Sequence, residues 1–282
     1  MLTKKNNSKL GLGCHKLYGG FEKRRSNNII KAALDNNITY FDTAPRYGDS
    51  EKILGNFLKG NHDVTIASKV GLNPIKESLF KKNNNYLKRE FKLRMKNNFK
   101  FAERYLNRKL KKRYEATIVE LSSFNQSNIT KIILSEEDIR SSLHETLKNL
   151  QRDHLDVFFL HEPDQYSNID EIQDIFIKLQ KDGLINSYGL GFHRWLNKKD
   201  NFNSLFLTLS MFKKEMLYQE SENSIYSIIH GAMGYYKFGI DNDEIKNYSS
   251  ALDFLKKLTS LHPKKTFLIA PSNEYQLLNF KI

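Results

Sequence analysis

Eight short apolar runs recur along the chain, most of them separated by amphipathic helical segments, and this alternation restricts the fold more than any other feature. The runs are Lys9–Cys14, Thr39–Ala44, Val64–Val70, Leu155–His161, Ser187–Phe192, Glu215–Gln219, Ile225–His230 and Thr266–Ala270, the sixth crowded by polar residues. Strands buried on both faces of a parallel sheet carry nearly continuous apolar side chains, as Asp156-Val157-Phe158-Phe159-Leu160 does. Between the runs, Ser26–Asn36 carries an apolar stripe of Ile29, Ile30, Ala33 and Leu34, and Ser50–Leu58, Ile169–Gln180 and Ser250–Leu258 repeat the pattern. Ser135-Glu136-Glu137-Asp138 reads as an N-cap with an acidic first turn, leading into Ile139, Leu143, Leu147 and Leu150. Gly183 ends the helix before it in the usual C-terminal manner. Eight strands with interleaved helices predict a (β/α)8 TIM barrel, because right-handed crossovers close the sheet without leaving edges. A doubly wound open sheet is the alternative, but Gly11-Leu12-Gly13 is followed by Cys14 and His15, so no Gly-x-Gly-x-x-Gly opens a dinucleotide loop there.

A barrel of this class needs about 250 residues, so the 282 residues present suit a single barrel domain over 1–282. The 19 Phe and 14 Tyr supply apolar area for one large core. The one cysteine, Cys14, cannot form an internal disulfide and reads as a small strand residue, which suits a reducing compartment. No Cys and His spacing suggests a metal, and neither a signal-peptide segment nor a membrane span of about 20 apolar residues is visible, so a cytoplasmic location is expected.

The net charge of +13 is unevenly placed: between Lys76 and Glu115 stand fifteen Lys or Arg against four Glu. The excess therefore belongs to an insert of about 73–130, between the third strand and its helix, and not to the fold as a whole. Within it Leu87, Phe91, Met95 and Phe99 recur every four residues among cations, the pattern of a basic amphipathic helix, so the insert is expected to be partly helical. A lid over the active face, peripheral membrane contact, an acidic partner or ligand, and a tolerated surface insertion all fit it. No motif supports nucleic acid as a partner.

Catalytic groups of such barrels cluster at the C-terminal strand ends. The second strand ends in Asp42, with Tyr47 five residues on in the following loop; the third ends at Lys69 and Val70; the fourth ends at His161. Together these four side chains make a coherent acid catalyst for carbonyl reduction. A phenol titrates near 10, and an adjacent buried ammonium lowers that value, so Lys69 is expected to activate Tyr47. Asp42 is expected to keep Lys69 charged, and His161 to orient the substrate oxygen. Singly, each has a structural reading too: a surface tyrosine, an aspartate capping a turn, a snorkelling lysine.

The segment Tyr40–Leu58, YFDTAPRYGDSEKILGNFL, resembles the signature of the aldo-keto reductase superfamily, and Asp138–Asp164 resembles its D-threo-aldose 1-dehydrogenase-like branch most closely. The resemblance implies an NAD(P)H-dependent oxidoreductase interconverting a small-molecule carbonyl or sugar with an alcohol. Asp42, Tyr47, Lys69 and His161 match its catalytic tetrad in order, with Tyr47 as general acid and base. It also implies cofactor contacts from Gly13 and, along Tyr188–His193, from a position where the family has Ser-Asn and this chain has Phe192 and His193. Gln219 and Asn223 have the spacing of the family's Gln-x-x-x-Asn after the sixth strand, and His230 and Gly231 lie where a Tyr commonly stacks on nicotinamide. Ser272 and Asn273 match the loop whose helix amides receive the cofactor's phosphate. The family's Arg for a 2′-phosphate has no counterpart beside Tyr275 and Gln276, so these positions do not select between NADP and NAD, and the resemblance to the family as a whole implies NADP over NAD. Many members continue beyond the position of Ile282 with a substrate-selecting loop, so an open pocket is expected. A non-catalytic alternative is a barrel retained as a binding scaffold, with the basic insert docking on a membrane or acidic partner.

Overall fold

In the computed structural model the described residues are 9–74, 86–88, 90–91, 108–109, 112, 132–191, 207–211, 227–238 and 248–277. Eight parallel strands pair in sequence order, and the last pairs with the first to close a barrel. They are β1 Leu10–Gly13, β2 Tyr40–Asp42, β3 Thr65–Val70, β4 Leu155–His161, β5 Ile185–Gly191, β6 Leu207–Met211, β7 Ser227–His230 and β8 Lys265–Ile269. The described helices are α1 Lys23–Asp35, α2 Ser50–Phe57, α3 Glu136–Leu150, α4 Ile169–Lys181, α5 Ala232–Phe238 and α6 Ala251–Leu261. Closure settles the topology in favour of the barrel over an open sheet.

Two corrections follow from the register. The sixth strand is Leu207–Met211, with Leu209 facing Gly191 on one side and Ile228 on the other, and not the expected Glu215–Gln219, which lies outside the described residues. Leu205-Phe206-Leu207-Thr208-Leu209 is more apolar than Glu215–Gln219, as a strand hydrogen-bonded on both edges requires. Cys14 is not in a strand: β1 stops at Gly13, and Cys14 opens a 3-10 turn, Cys14–Lys16, with its buried thiol donating to the Leu12 carbonyl at 3.3 Å.

The two-residue strand period sorts side chains into two cores. Tyr40, Ala67, Val157, Phe159, Leu209, Ile228 and Leu268 fill the barrel interior. Phe41, Ile66, Phe158, Leu160, Ile229, Phe267 and Ile269, one residue out of phase, join the helices in the outer core. Gly11 stands in the interior layer, where a Cβ would lie 2.6 Å from Leu268 and 2.9 Å from Tyr40, so a glycine there makes room for the large rings and branches around it. The same parity carries upward: Asp42 follows Tyr40, Lys69 follows Ala67 and His161 follows Phe159, so all three project inward at the C-terminal mouth.

The chain leaves the barrel near Asn73–Pro74 and returns at Ile132, whose amide and carbonyl bond Gln165 and Ser167 beyond β4. The described insert residues Tyr86–Lys88, Glu90, Phe91, Arg108, Lys109 and Lys112 are helical, and the Tyr86 ring packs edge-on against Phe21 at 5.9 Å. Ser135 then caps α3 in a capping box with Asp138, as the sequence predicts.

Behind β3, Glu51 of α2 is buried and ties three elements together. It accepts from Ser68 Oγ at 2.8 Å, Thr146 Oγ1 at 3.0 Å and Asn149 Nδ2 at 3.2 Å. Burial pushes its carboxyl above the usual range, and the three donors offset only part of that. A carboxyl that binds its proton more tightly folded than unfolded favours folding most below the unfolded value of about 4.3, and loses that contribution as pH rises through the folded value. The stability advantage of the wild type over Glu51→Gln should therefore shrink as pH rises across that window, as read by urea unfolding at a series of pH values. A difference that grows with pH would contradict the assignment.

Candidate active site

At the mouth, Lys69 is the centre of the charged cluster. Its Nζ donates to Asp42 Oδ1 at 2.8 Å, Asp42 Oδ2 at 2.7 Å and the Thr43 carbonyl at 2.7 Å, so all three ammonium protons have acceptors. Lys69 is 1% exposed and Asp42 3%, a nearly dry ion pair. Burial pushes the Asp42 carboxyl up against the pull of Lys69. Burial works against the Lys69 charge too, yet Asp42 and the Tyr47 phenol hold that ammonium above ordinary lysine. The Tyr47 phenol hydrogen-bonds the Lys69 side chain as well, so carboxylate, carbonyl and phenol all meet at one ammonium.

Tyr47 reaches this cluster through local chain geometry. Thr43 N donates to the Ala67 carbonyl at 2.8 Å, and the Thr43 hydroxyl donates to Ser50 Oγ at 2.8 Å, which anchors the loop at both ends. Pro45, favoured at a first helical position, opens the 3-10 turn Pro45–Tyr47, and Tyr47 N donates back to the Ala44 carbonyl at 2.9 Å. The phenol ring is thereby folded over the mouth, its centroid 4.9 Å from Lys69 Nζ. The His161 ring meets it edge-on at 6.5 Å and 89°. After His161 the chain turns sharply at Glu162, which holds a left-handed φ of 55°, a conformation a non-glycine residue adopts at a cost of about 1 kcal/mol or more.

The structure thus brings Asp42, Tyr47, Lys69 and His161 together. One expectation about them is reversed. Burial pushes the Tyr47 phenol above ordinary tyrosine; the charge and hydrogen bond of Lys69 pull it down without cancelling that rise, and the charge of Asp42 adds to it.

Of the cofactor positions, Gly13 ends β1, and His230 ends β7 with Gly231 at a φ of 85°, which lets the chain turn into α5. Ser272 and Asn273 follow β8. The Ser272 amide donates to Gln276 Oε1 at 2.6 Å, and Asn273 Oδ1 accepts from Gln276 N at 3.2 Å, so Ser272 N and Gln276 N are bonded within the loop itself. His193 and Gln219 lie outside the described residues.

Two residues at the mouth escaped sequence reasoning. Lys16 Nζ donates to the Ala270 carbonyl at 2.6 Å and to Ser272 Oγ at 3.3 Å, placing an ammonium on the loop after β8. Burial, then the neighbouring charges of Lys237 and Arg25, push that ammonium below ordinary lysine. The His15 ring meets the Tyr47 ring edge-on, centroid to centroid at 6.1 Å. Neither belongs to a recurring pattern; only the Cys14–Lys16 turn directs them. Among the described residues no group of His, Cys, Asp and Glu is placed to hold a metal, and no helix is long and apolar enough to cross a membrane.

Comparison with known proteins agrees with this architecture. A sequence model described as the aldo/keto reductase family matches residues 9–200. Aldo-keto reductase YhdN of Bacillus subtilis is 27% identical over 245 residues, covering 80% of this chain and 58% of that protein. D-threo-aldose 1-dehydrogenase of a Pseudomonas species is 27% identical over 172 residues, covering 58% of this chain and 42% of that protein. The chain thus spans about half the length of these curated relatives. The crystal structure of an aldo-keto reductase from Klebsiella pneumoniae in complex with NADPH superposes with a TM-score of 0.59 at 14% identity, over 97% of this chain and 84% of that one. A family match across more than half of the residues, on a closed eight-stranded barrel, makes this chain a member of the aldo/keto reductase family.

Proposed function

We propose that the chain is an NAD(P)H-dependent oxidoreductase that interconverts an aldehyde, ketone or sugar carbonyl with an alcohol, using Tyr47 as general acid and base. The observation that carries this reading is the Asp42–Lys69 ion pair lying under the Tyr47 ring with His161 beside it. A raised phenol holds its proton at neutral pH, as an acid must before it donates. As the proton moves to the substrate oxygen, phenolate charge develops beside Lys69, whose ammonium is already oriented and costs nothing to reorganise. Asp42 keeps that ammonium protonated and in place. His161 hydrogen-bonds the substrate oxygen and aims it at Tyr47.

The donors at the other side of the mouth suit a phosphate-bearing dinucleotide. Lys16 and Ser272 offer an ammonium and a hydroxyl beside β8, and Gly13, His230 and Gly231, at the ends of β1 and β7, are assigned to the cofactor from the family resemblance. When bound, the reduced nicotinamide supplies hydride to the carbonyl carbon. His193, Gln219 and Asn273 are assigned to the cofactor from the family resemblance. NADP is favoured over NAD because the Klebsiella relative is in complex with NADPH. The scaffold alternative is not favoured, since a scaffold does not require a buried Asp42–Lys69 pair with Tyr47 and His161 gathered over it.

Titration with NADPH and with NADH, followed by nicotinamide fluorescence, should show saturable binding. Addition of simple aldehydes and aldoses should then consume the reduced form. Absence of binding by both nucleotides would sink the proposal.

A further inference from the structure

Where it is described, the basic insert turns the opposite face outward from the one a helix in water exposes. Tyr86, Leu87, Lys88, Glu90 and Phe91 lie on helical backbone. Residues four apart share a helix face, so Tyr86 with Glu90 and Leu87 with Phe91 form two neighbouring stripes. Tyr86 and Glu90 are half-buried, and the Tyr86 ring meets Phe21 edge-on at 5.9 Å. Leu87 and Phe91 are 58% and 66% exposed, and Lys88 beside them is exposed too. A helix laid against a barrel ordinarily buries its apolar stripe and leaves its acids in water. The barrel continues the same surface: Phe21 is 64% exposed, Lys23 and Arg24 are exposed, and Glu22 between them is buried and paired with Arg25 at 3.0 Å. On both sides of the Phe21–Tyr86 contact, every exposed side chain among Phe21–Arg24 and the described residues of 86–91 is therefore apolar or cationic.

We propose that this surface docks on an anionic lipid bilayer, with Phe21, Leu87 and Phe91 entering the headgroup boundary and Lys23, Arg24 and Lys88 meeting lipid phosphates. The interface of such a bilayer takes up apolar side chains and cations together, a combination that water alone leaves unsatisfied. Scattered apolar residues are ordinary on a protein surface, but a grouped set rimmed by one sign of charge marks a docking face. Charge selects the occupant. Between Lys76 and Glu115 stand fifteen Lys or Arg against four Glu, and the whole chain carries +13, so a second copy would bring the same excess and be repelled. Nucleic acid would meet the cations through its phosphates but offers no apolar layer to the three large side chains. Among the described residues no helix is long and apolar enough to cross a membrane, so the contact is one made on the lipid surface.

Cosedimentation of the full chain with vesicles tests this, using phosphatidylcholine alone and equal parts of phosphatidylcholine and phosphatidylglycerol. Wild type should pellet with the anionic vesicles, stay in solution with the neutral ones, and be released as salt screens the charges. Phe21→Ser combined with Leu87→Ser and Phe91→Ser should lower the partition into anionic vesicles by about tenfold or more. Lys23→Glu combined with Lys88→Glu should lower it by about tenfold as well. Both sets change exposed side chains, so thermal unfolding midpoints should match wild type, which separates docking from loss of the fold. Wild type that stays in solution with anionic vesicles, or serine variants that bind them as tightly as wild type, would overturn the proposal. A duplex oligonucleotide bound in preference to vesicles, or a dimer that the serine substitutions dissolve in the absence of lipid, would overturn it in favour of nucleic acid or a second copy.

Discussion

Tyr47→Phe is expected to lower kcat for aldehyde reduction by about 10²–10⁴-fold while leaving the affinity for NADPH unchanged, because the substitution deletes one hydroxyl and keeps the ring that His15 and His161 touch. Loss of a proton donor used only in the transition state falls on kcat and not on ground-state binding. The raised phenol adds a direction to the pH dependence. The protonated form persists through neutral pH, so reduction should be insensitive to pH there and decline only at alkaline pH. Alcohol oxidation needs the phenolate and should gain as pH rises. Steady-state kinetics in both directions, with fluorescence titration of NADPH, decide the matter. A variant retaining wild-type kcat would show that the proton comes from elsewhere, with His161 the next candidate.

What the sequence makes legible is set by how local each signal is. β4 could be read because Val157 to Leu160 are apolar on both faces, and Ser135 with Asp138 announces α3 within four residues. The inward placement of Asp42, Lys69 and His161 also follows from local parity with Tyr40, Ala67 and Phe159. β6 was not legible in the same way: two polar-flanked runs compete between 205 and 219, and only pairing with β5 and β7 selects Leu207–Met211. Lys16 meets Ala270 across the β1–β8 seam, a contact that exists only once the barrel closes. His15 reaches Tyr47 because two 3-10 turns from different strand ends face each other, and neither turn has periodicity. The sign of the Tyr47 shift depends on burial outweighing a neighbouring charge, a three-dimensional balance that spacing cannot express.

The second large effect concerns stability. Lys69→Met should destabilise the fold by about 3–5 kcal/mol, because it leaves the Asp42 carboxylate 3% exposed with no cation to offset its desolvation. Net stabilities run at about 5–15 kcal/mol, so this is a large share of the total. The loss has a chemical signature that simple repacking would lack. An unpaired Asp42 takes up a proton more readily still, so the deficit should narrow as pH falls and Asp42 becomes neutral. Asp42→Asn combined with Lys69→Met removes both charges and should recover much of the loss, though not activity, since nothing then stabilises phenolate at Tyr47. Urea unfolding of the two single variants and the double gives the coupling energy directly. A value near zero would mean that the pair contributes nothing to holding β2 and β3 together, and that its geometry is kept for catalysis alone.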